Sequence, residues 1–209
     1  MIVIGLTGSI GMGKSTTAGY FAKRGVPVLS SDAEVHRLYR GEAVAPIEAA
    51  FPGTTTRDGV DRKRLAERVL GDDAAIRRLE AIVHPLVRER TRAFLRRALA
   101  AGARSALVDI PLLFETGAER DFDLLVVATA PPSVQRERVL ARPDMTAERF
   151  EAVLENQMPD AEKRRRCHFI VDTSLGFEAT ERQVEAIIRA VAGLTGTRTD
   201  RLLRGDSAS

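Results

Sequence analysis

Gly8-Ser9-Ile10-Gly11-Met12-Gly13-Lys14-Ser15 satisfies G-x-x-x-x-G-K-[ST], the spacing of a loop that wraps nucleotide phosphates. The residue types explain the chemistry. Glycines at 8, 11 and 13 let the backbone turn tightly, so that successive N–H groups converge on one anion-binding concavity. A helix starting near Lys14 adds its own N-terminal N–H groups and the positive end of its dipole. Lys14 is a point charge for the β- and γ-phosphate oxygens, and Ser15 offers a hydroxyl to Mg2+. Gly8, Gly11, Met12, Gly13, Lys14, Ser15 and Thr16 together form the candidate grip on ATP or GTP.

Other residues choose the reaction. Asp32 follows the short apolar segment Val26-Pro27-Val28-Leu29. In a doubly wound sheet that strand end faces the ligand crevice. A carboxylate there can accept a proton from an attacking hydroxyl, hold Mg2+ through water, or cap the next helix. Asp109 ends the apolar run Ala106-Leu107-Val108 and is either a second acid toward the metal, through water, or a structural one. Glu115 is a loop acid or a substrate contact. Arg138 and Arg142, four residues apart, share one helix face and can offset charge on transferring phosphate oxygens. The alternative is a solvated helix paired with acids such as Glu137. Lys163-Arg164-Arg165-Arg166 reads as a solvated helix end, and His84-Pro85 as a surface or core histidine before a proline at a helix start. His36, His84 and His168 lack metal-ligand spacing, and Cys167 is alone, which fits a reducing cytosol.

The elements that must position these residues alternate. Apolar segments at 2–7, 26–29, 106–110, 124–128 and 169–172 read as buried strands separated by helices, which predicts a parallel α/β sheet wound by crossovers. Helices are expected at 15–24, 33–40, 133–142, 146–156 and 177–192, with a helix-rich charged stretch at 41–105 and a frayed tail at 196–209. The net charge of +3 comes from 32 basic residues, only four of them lysines, scattered among 29 acids. A solvated surface with a few arginines at an anionic site explains it better than nucleic-acid binding. No apolar run approaches the ~20 residues of a membrane span, and no basic leader precedes residue 2. The guanine-reading N-K-x-D is missing, which disfavours a GTPase.

The set of segments resembles the dephospho-coenzyme A kinase family. The carriers are Leu6 to Thr16, Asp32 with its helix, Asp58-Gly-Val-Asp-Arg62 and Leu79-Glu-Ala-Ile-Val-His-Pro-Leu86. Ile110-Pro-Leu-Leu-Phe-Glu115, Gln135-x-x-Arg138-x-x-x-Arg142, and Gln157 before Lys163 complete it. The resemblance implies transfer of the ATP γ-phosphoryl group to the ribose 3′-hydroxyl of dephospho-CoA by a Mg2+-dependent cytoplasmic enzyme, expected as a monomer. It implies a P-loop kinase-like fold with a core at 1–34, 105–130 and 166–195, a helical substrate-binding insertion at 35–104 and a lid at 131–165. Asp32 would be the base or hydroxyl-orienting acid, and Lys14, Arg138 and Arg142 the catalytic cations. Arg62, His84, Pro111, Leu112, Leu113 and Glu115 would shape the acceptor pocket. Two positions depart from the family pattern: Ser30-Ser31-Asp32 stands for Asp-Ala-Asp, and Asp172-Thr173 for Asp-Asn. If the turn at 172–173 holds adenine, Thr173 would do so by backbone or hydroxyl. The competing expectations are another small-molecule or nucleotide kinase, and a non-catalytic nucleotide-binding protein.

Overall fold

The computed structural model describes residues 1–204. In chain order the elements are β1 (Ile2–Thr7), α1 (Lys14–Lys23), β2 (Val28–Ser30), α2 (Ser31–Leu38), α3 (Val44–Ala50), β3 (Thr55–Thr56) and β4 (Gly59–Val60). Next come α4 (Arg62–Val69), α5 (Asp73–Ala100), β5 (Ser105–Asp109), a 3-10 turn (Ala118–Asp121), β6 (Leu124–Thr129), α6 (Pro132–Leu140) and α7 (Ala147–Glu155). The chain ends with α8 (Asp160–Arg166), β7 (Phe169–Asp172), α9 (Phe177–Val191) and α10 (Thr199–Arg204). It forms two compact units, one of residues 1–29 with 95–209 and the other of residues 30–94. The division falls inside α5.

The first unit is built on a five-stranded sheet in the order β2-β5-β1-β6-β7. β1 pairs parallel with β5 (Ile4 opposite Leu107) and with β6 (Ile4 opposite Leu124), and β6 pairs parallel with β7. β1 is buried at all six positions, as an interior strand covered on both faces must be. Its residues Ile2, Ile4 and Leu6 share a core with Phe21 of α1 and with Val184, Ile187 and Val191 of α9. Those α9 positions recur at three- and four-residue spacing, so one face of the helix seals the sheet. Each such fully buried aliphatic or aromatic side chain contributes about 1.5–3 kcal/mol.

The second unit is helical apart from the β3–β4 hairpin, whose two-residue strands are too short to show a strand period. Its own core joins Leu38, Ile47, Phe51, Leu65 and Val83. Thr54 N–H, Glu48 and Asp61 organise the hairpin region: the Glu48 carboxylate accepts from Gly53 N (2.8 Å), Thr55 N (3.1 Å) and the Thr55 hydroxyl (2.7 Å). Asp61 caps α4 by accepting from Lys63 N and Arg64 N, both at 3.1 Å.

Two expectations are corrected here. Pro85 does not start a helix; it lies inside the 28-residue α5. Its missing N–H leaves one helical carbonyl without a donor, a cost that the packing of Val83 and its neighbours outweighs. The tail is also not frayed up to residue 204. The Asp123 carboxylate accepts from Val3 N (2.8 Å), Thr197 N (2.7 Å) and Arg198 N (2.8 Å), and the Thr199 hydroxyl donates to Met1 O (2.6 Å). These bonds tie the segment to the start of β1. The remaining tail positions, 205–209, lie outside the described residues.

Candidate active site

The phosphate loop joins β1 to α1, and its shape is fixed from several sides. Gly13, at φ 79°, is the residue before α1, and a Cβ there would lie 2.8 Å from the Thr173 hydroxyl. Gly11, at φ 78°, passes equally close to α6, where a Cβ would meet Val139 Cγ2 at 2.5 Å. Only glycine satisfies both the backbone angle and the close approach. Ile10 is held at both backbone ends: its N–H donates to Gln157 Oε1 (3.1 Å) and its carbonyl accepts from Gln135 Nε2 (2.7 Å). Met12 is buried; its sulfur accepts from Ala130 N (3.1 Å) and its carbonyl from the Thr173 hydroxyl (3.0 Å). Met12 therefore serves the site through its backbone, with its side chain packed away.

Lys14 opens α1 and pairs with Asp109, the last residue of β5. Asp109 is only 5% exposed, so the ammonium compensates a carboxylate that burial would otherwise penalise heavily. Ser15 and Thr16 are exposed in the first turn of α1. Among the described residues no group of three or more His, Cys, Asp or Glu side chains could hold a metal by itself. The Ser15 hydroxyl and the Asp109 carboxylate are hard oxygen donors beside a phosphate loop. Such a sparse set fits Mg2+, which keeps most of its waters and takes the rest of its shell from substrate phosphates.

Arg138 lies on α6, but Arg142, expected on the same helix face, lies two residues past its end, because the helix stops at Leu140 and Arg142 N closes a turn onto Val139 O (3.1 Å). Arg138 Nη1 donates to the Thr173 hydroxyl and Nη2 to the Thr173 carbonyl, both at 2.8 Å. Arg142 is exposed, and its guanidinium has no hydrogen bond or ion pair among the described residues.

After β5, Pro111 and Leu112 are accessible, but Leu113 is fully buried. Expected at the acceptor pocket, Leu113 instead packs beneath β1, where its Cδ1 would touch a Cβ at position 5 at 2.8 Å. Glu115 is also engaged within the chain. It accepts from Met158 N (2.7 Å) and lies 2.9 Å from Lys163 Nζ. Burial alone would raise the Glu115 carboxyl, but the Lys163 ammonium and the Met158 amide outweigh it and hold the group below the usual carboxylate range.

Lys163 itself overturns the expectation of a solvated helix end: its side chain is 0% exposed, an ion pair without a well-directed hydrogen bond. The run Lys163–Arg166 is divided by helical geometry. Arg164 and Arg165 face solvent, whereas Arg166 donates to Glu119 (2.6 Å) and lies 4.5 Å over the Phe114 ring. Next to them burial pushes the Cys167 thiol up to about 12, despite the nearby cations Lys163 and Arg166, which makes it an inert thiol.

In the second unit, Asp32 is exposed in the first turn of α2, two residues beyond the end of β2. Ser30, not Asp32, caps that helix, accepting from Ala33 N at 3.3 Å. The carboxylate is thus left without a hydrogen bond or ion pair among the described residues. Arg62 opens α4 and is exposed, with its charge felt at Tyr39. Burial raises the Tyr39 phenol, and Arg62 offsets part of that rise. His84 is exposed in the middle of α5.

Sequence reading missed Gln135, Gln157 and Thr173 as organisers of the phosphate loop. Glutamines inside or beside helices carry no local signal of a partner more than a hundred residues away.

Comparison with known proteins adds independent findings. Residues 2–178 match the family model described as CoaE, dephospho-CoA kinase. The chain is 58% identical over 197 residues to the dephospho-CoA kinase of Mesorhizobium japonicum, covering 94% of this chain and 100% of that one. It is 59% identical over 189 residues to the dephospho-CoA kinase of Agrobacterium fabrum, covering 90% and 97%. A solved protein of Thermus thermophilus superposes with a TM-score of 0.82 at 35% identity, covering 92% of this chain and 98% of that one.

Proposed function

The chain belongs to the dephospho-CoA kinase family, and from that premise we propose how its residues divide the work. The protein is an ATP-dependent kinase that phosphorylates dephospho-CoA to give CoA and ADP. The bond between the γ-phosphorus and the β-bridging oxygen breaks. A bond from that phosphorus to the ribose 3′-oxygen forms, and the hydroxyl loses its proton.

Lys14 and the loop N–H groups of residues 8–16, other than those of Ile10 and Met12, which donate to Gln157 and Ser9, bind the β- and γ-phosphates and offset the charge that collects on the leaving oxygen. Ser15 and Asp109 would hold Mg2+, which would supply further charge neutralisation at the phosphates. Arg138 faces the transferring phosphoryl group, and Arg142, in the turn that follows α6, adds to the same field as α6 and that turn close over the nucleotide. Asp32 receives or orients the acceptor hydroxyl. A loose transition state asks less for a strong base than for a carboxylate in line. Arg62, His84, Pro111 and Leu112 contact the acceptor, while Glu115 and Leu113 hold the loop that presents them. No described helix is long and apolar enough to cross a membrane.

The observation that carries this reading is the pair of Lys14 with the buried Asp109 at the mouth of a phosphate loop, with Arg138 tied beside it. The direct test is to incubate the purified protein with ATP, Mg2+ and dephospho-CoA and to look for CoA by mass spectrometry, with AMP and CMP as competing acceptors. CoA formation outpacing phosphorylation of AMP and CMP is expected. Phosphorylation of AMP or CMP with no CoA would instead assign a nucleotide kinase.

A further inference from the structure

Thr173 is 6% exposed and meets three separate parts of the first unit. Its backbone N–H donates to Thr129 O at 2.9 Å, fixing it to the end of β6. Its hydroxyl lies 3.0 Å from Met12 O and 3.2 Å from Thr129 O, and it accepts from Arg138 Nη1 at 2.8 Å. A hydroxyl has one proton and two acceptor sites. With the proton turned toward the Met12 and Thr129 carbonyls, a lone pair is left facing the guanidinium. The Thr173 carbonyl takes the other terminal nitrogen, Nη2, also at 2.8 Å. The guanidinium is therefore held at two points by a residue that also touches the phosphate loop at Met12 and Gly13. An arginine has five N–H donors; with two used here, three remain for phosphate oxygens.

We infer that Thr173 is a positioning residue for phosphoryl transfer. It presets the Arg138 guanidinium beside the phosphate loop before substrate arrives, so that little reorganisation is left for the transition state. This rests on the reading of Arg138 as the arginine that faces the transferring phosphate. It also changes the expectation that Thr173 holds adenine, because its hydroxyl and carbonyl both already serve Arg138. The hydroxyl is the essential part. Valine has the same shape but can neither donate to Met12 O nor accept from Arg138, whereas serine can do both.

The test compares Thr173→Val, Thr173→Ser, Arg138→Ala and Thr173→Val/Arg138→Ala by steady-state kinetics with ATP and dephospho-CoA, after circular dichroism has confirmed folding. Should Thr173→Val fail to fold, Thr173→Ala takes its place. Thr173→Val is expected to lower kcat roughly tenfold, with the KM for ATP within about twofold, as misplacement of a transition-state contact predicts. Thr173→Ser should return kcat to within about twofold of the parent, and the double variant should be no slower than Arg138→Ala. An unchanged kcat in Thr173→Val, or equal losses in Thr173→Val and Thr173→Ser, would overturn the inference. The second result would assign the effect to the fit of the whole side chain in its buried site, since serine keeps the hydroxyl and valine keeps the γ-methyl group. An additive double variant would also overturn it. If Arg138→Ala keeps full activity, the reading of Arg138 fails and this inference with it. If Arg138→Ala is slow while Thr173→Val is not, only the role of Thr173 fails.

Discussion

The donor-side and acceptor-side candidates stand in opposite physical states. In the first unit, almost every residue near the phosphate loop is committed. Ile10 is bonded at both backbone ends, Lys14 is paired, and Arg138 is held at two points. In the second unit, Asp32, Arg62 and His84 are exposed, and their order comes from the backbone beneath them. Phosphate binding needs many convergent donors that cannot rearrange cheaply, so it is built in advance. Recognition of a long acceptor can use exposed side chains, each contributing little alone. The difference teaches that substitutions in the first unit should strike folding and turnover together, whereas those in the second should strike function with stability intact.

The largest effect on stability is expected at Lys163. Lys163→Ala removes a fully buried side chain and takes the cation from the partly exposed Glu115 carboxylate, at a cost of about 1–3 kcal/mol in urea unfolding. The pair also sets a pH dependence. Because the folded Glu115 carboxyl is held low, its stabilisation is complete above the ordinary carboxylate range and is lost as pH falls through the folded value. Glu115→Gln should therefore flatten part of the acid limb of the stability curve; an identical acid limb would remove the pair from the account.

Lys14→Ala is expected to lower kcat about 10²–10³-fold and also to lower the melting temperature, since Asp109 then stays buried without its ion-pair partner. Full thermal stability in that variant would break the link drawn between the phosphate grip and the fold. Asp32→Asn should reduce turnover by roughly 10²-fold, with ATP affinity and melting temperature near the parent values. Equal rates in a coupled ADP assay would remove Asp32 from the reaction. The smallest effect belongs to His84→Ala, for which stability should stay within about 0.5 kcal/mol. The KM for dephospho-CoA should rise only a few-fold, by roughly the loss of one exposed contact. A stability loss above 1 kcal/mol, read from denaturant midpoints, would contradict the division between the two units.

Much of this was legible in the chain. The inner strands β1, β5 and β6 announced themselves as short apolar runs because strands buried on both faces have no polar side to display, and the edge strands β2 and β7 did so although they are only partly buried. The phosphate loop was legible because its glycines, lysine and serine are consecutive. What was not legible depended on distant partners. The run at 163–166 has one composition, yet Lys163 is buried and Arg164 exposed, a split set by which face of α8 meets the sheet. The tail looked polar and loose, but the Asp123 carboxylate, more than seventy residues earlier, gives the N–H groups of Thr197 and Arg198 an acceptor. The hairpin at 55–60 was too short to show any period.

The sequence by itself determined the chemistry of the donor site and the parallel α/β architecture, since both follow from local spacing and from hydrophobic pattern. Only the tertiary structure decided which polar residues are free and which are bound. Arg138 and Arg142 look equivalent by spacing, but α6 ends between them at Leu140, and the turn after β7 reaches the first and not the second. A buried polar group must find its partner wherever the fold brings one. That pairing is a property of the packed chain, so no window of sequence contains it.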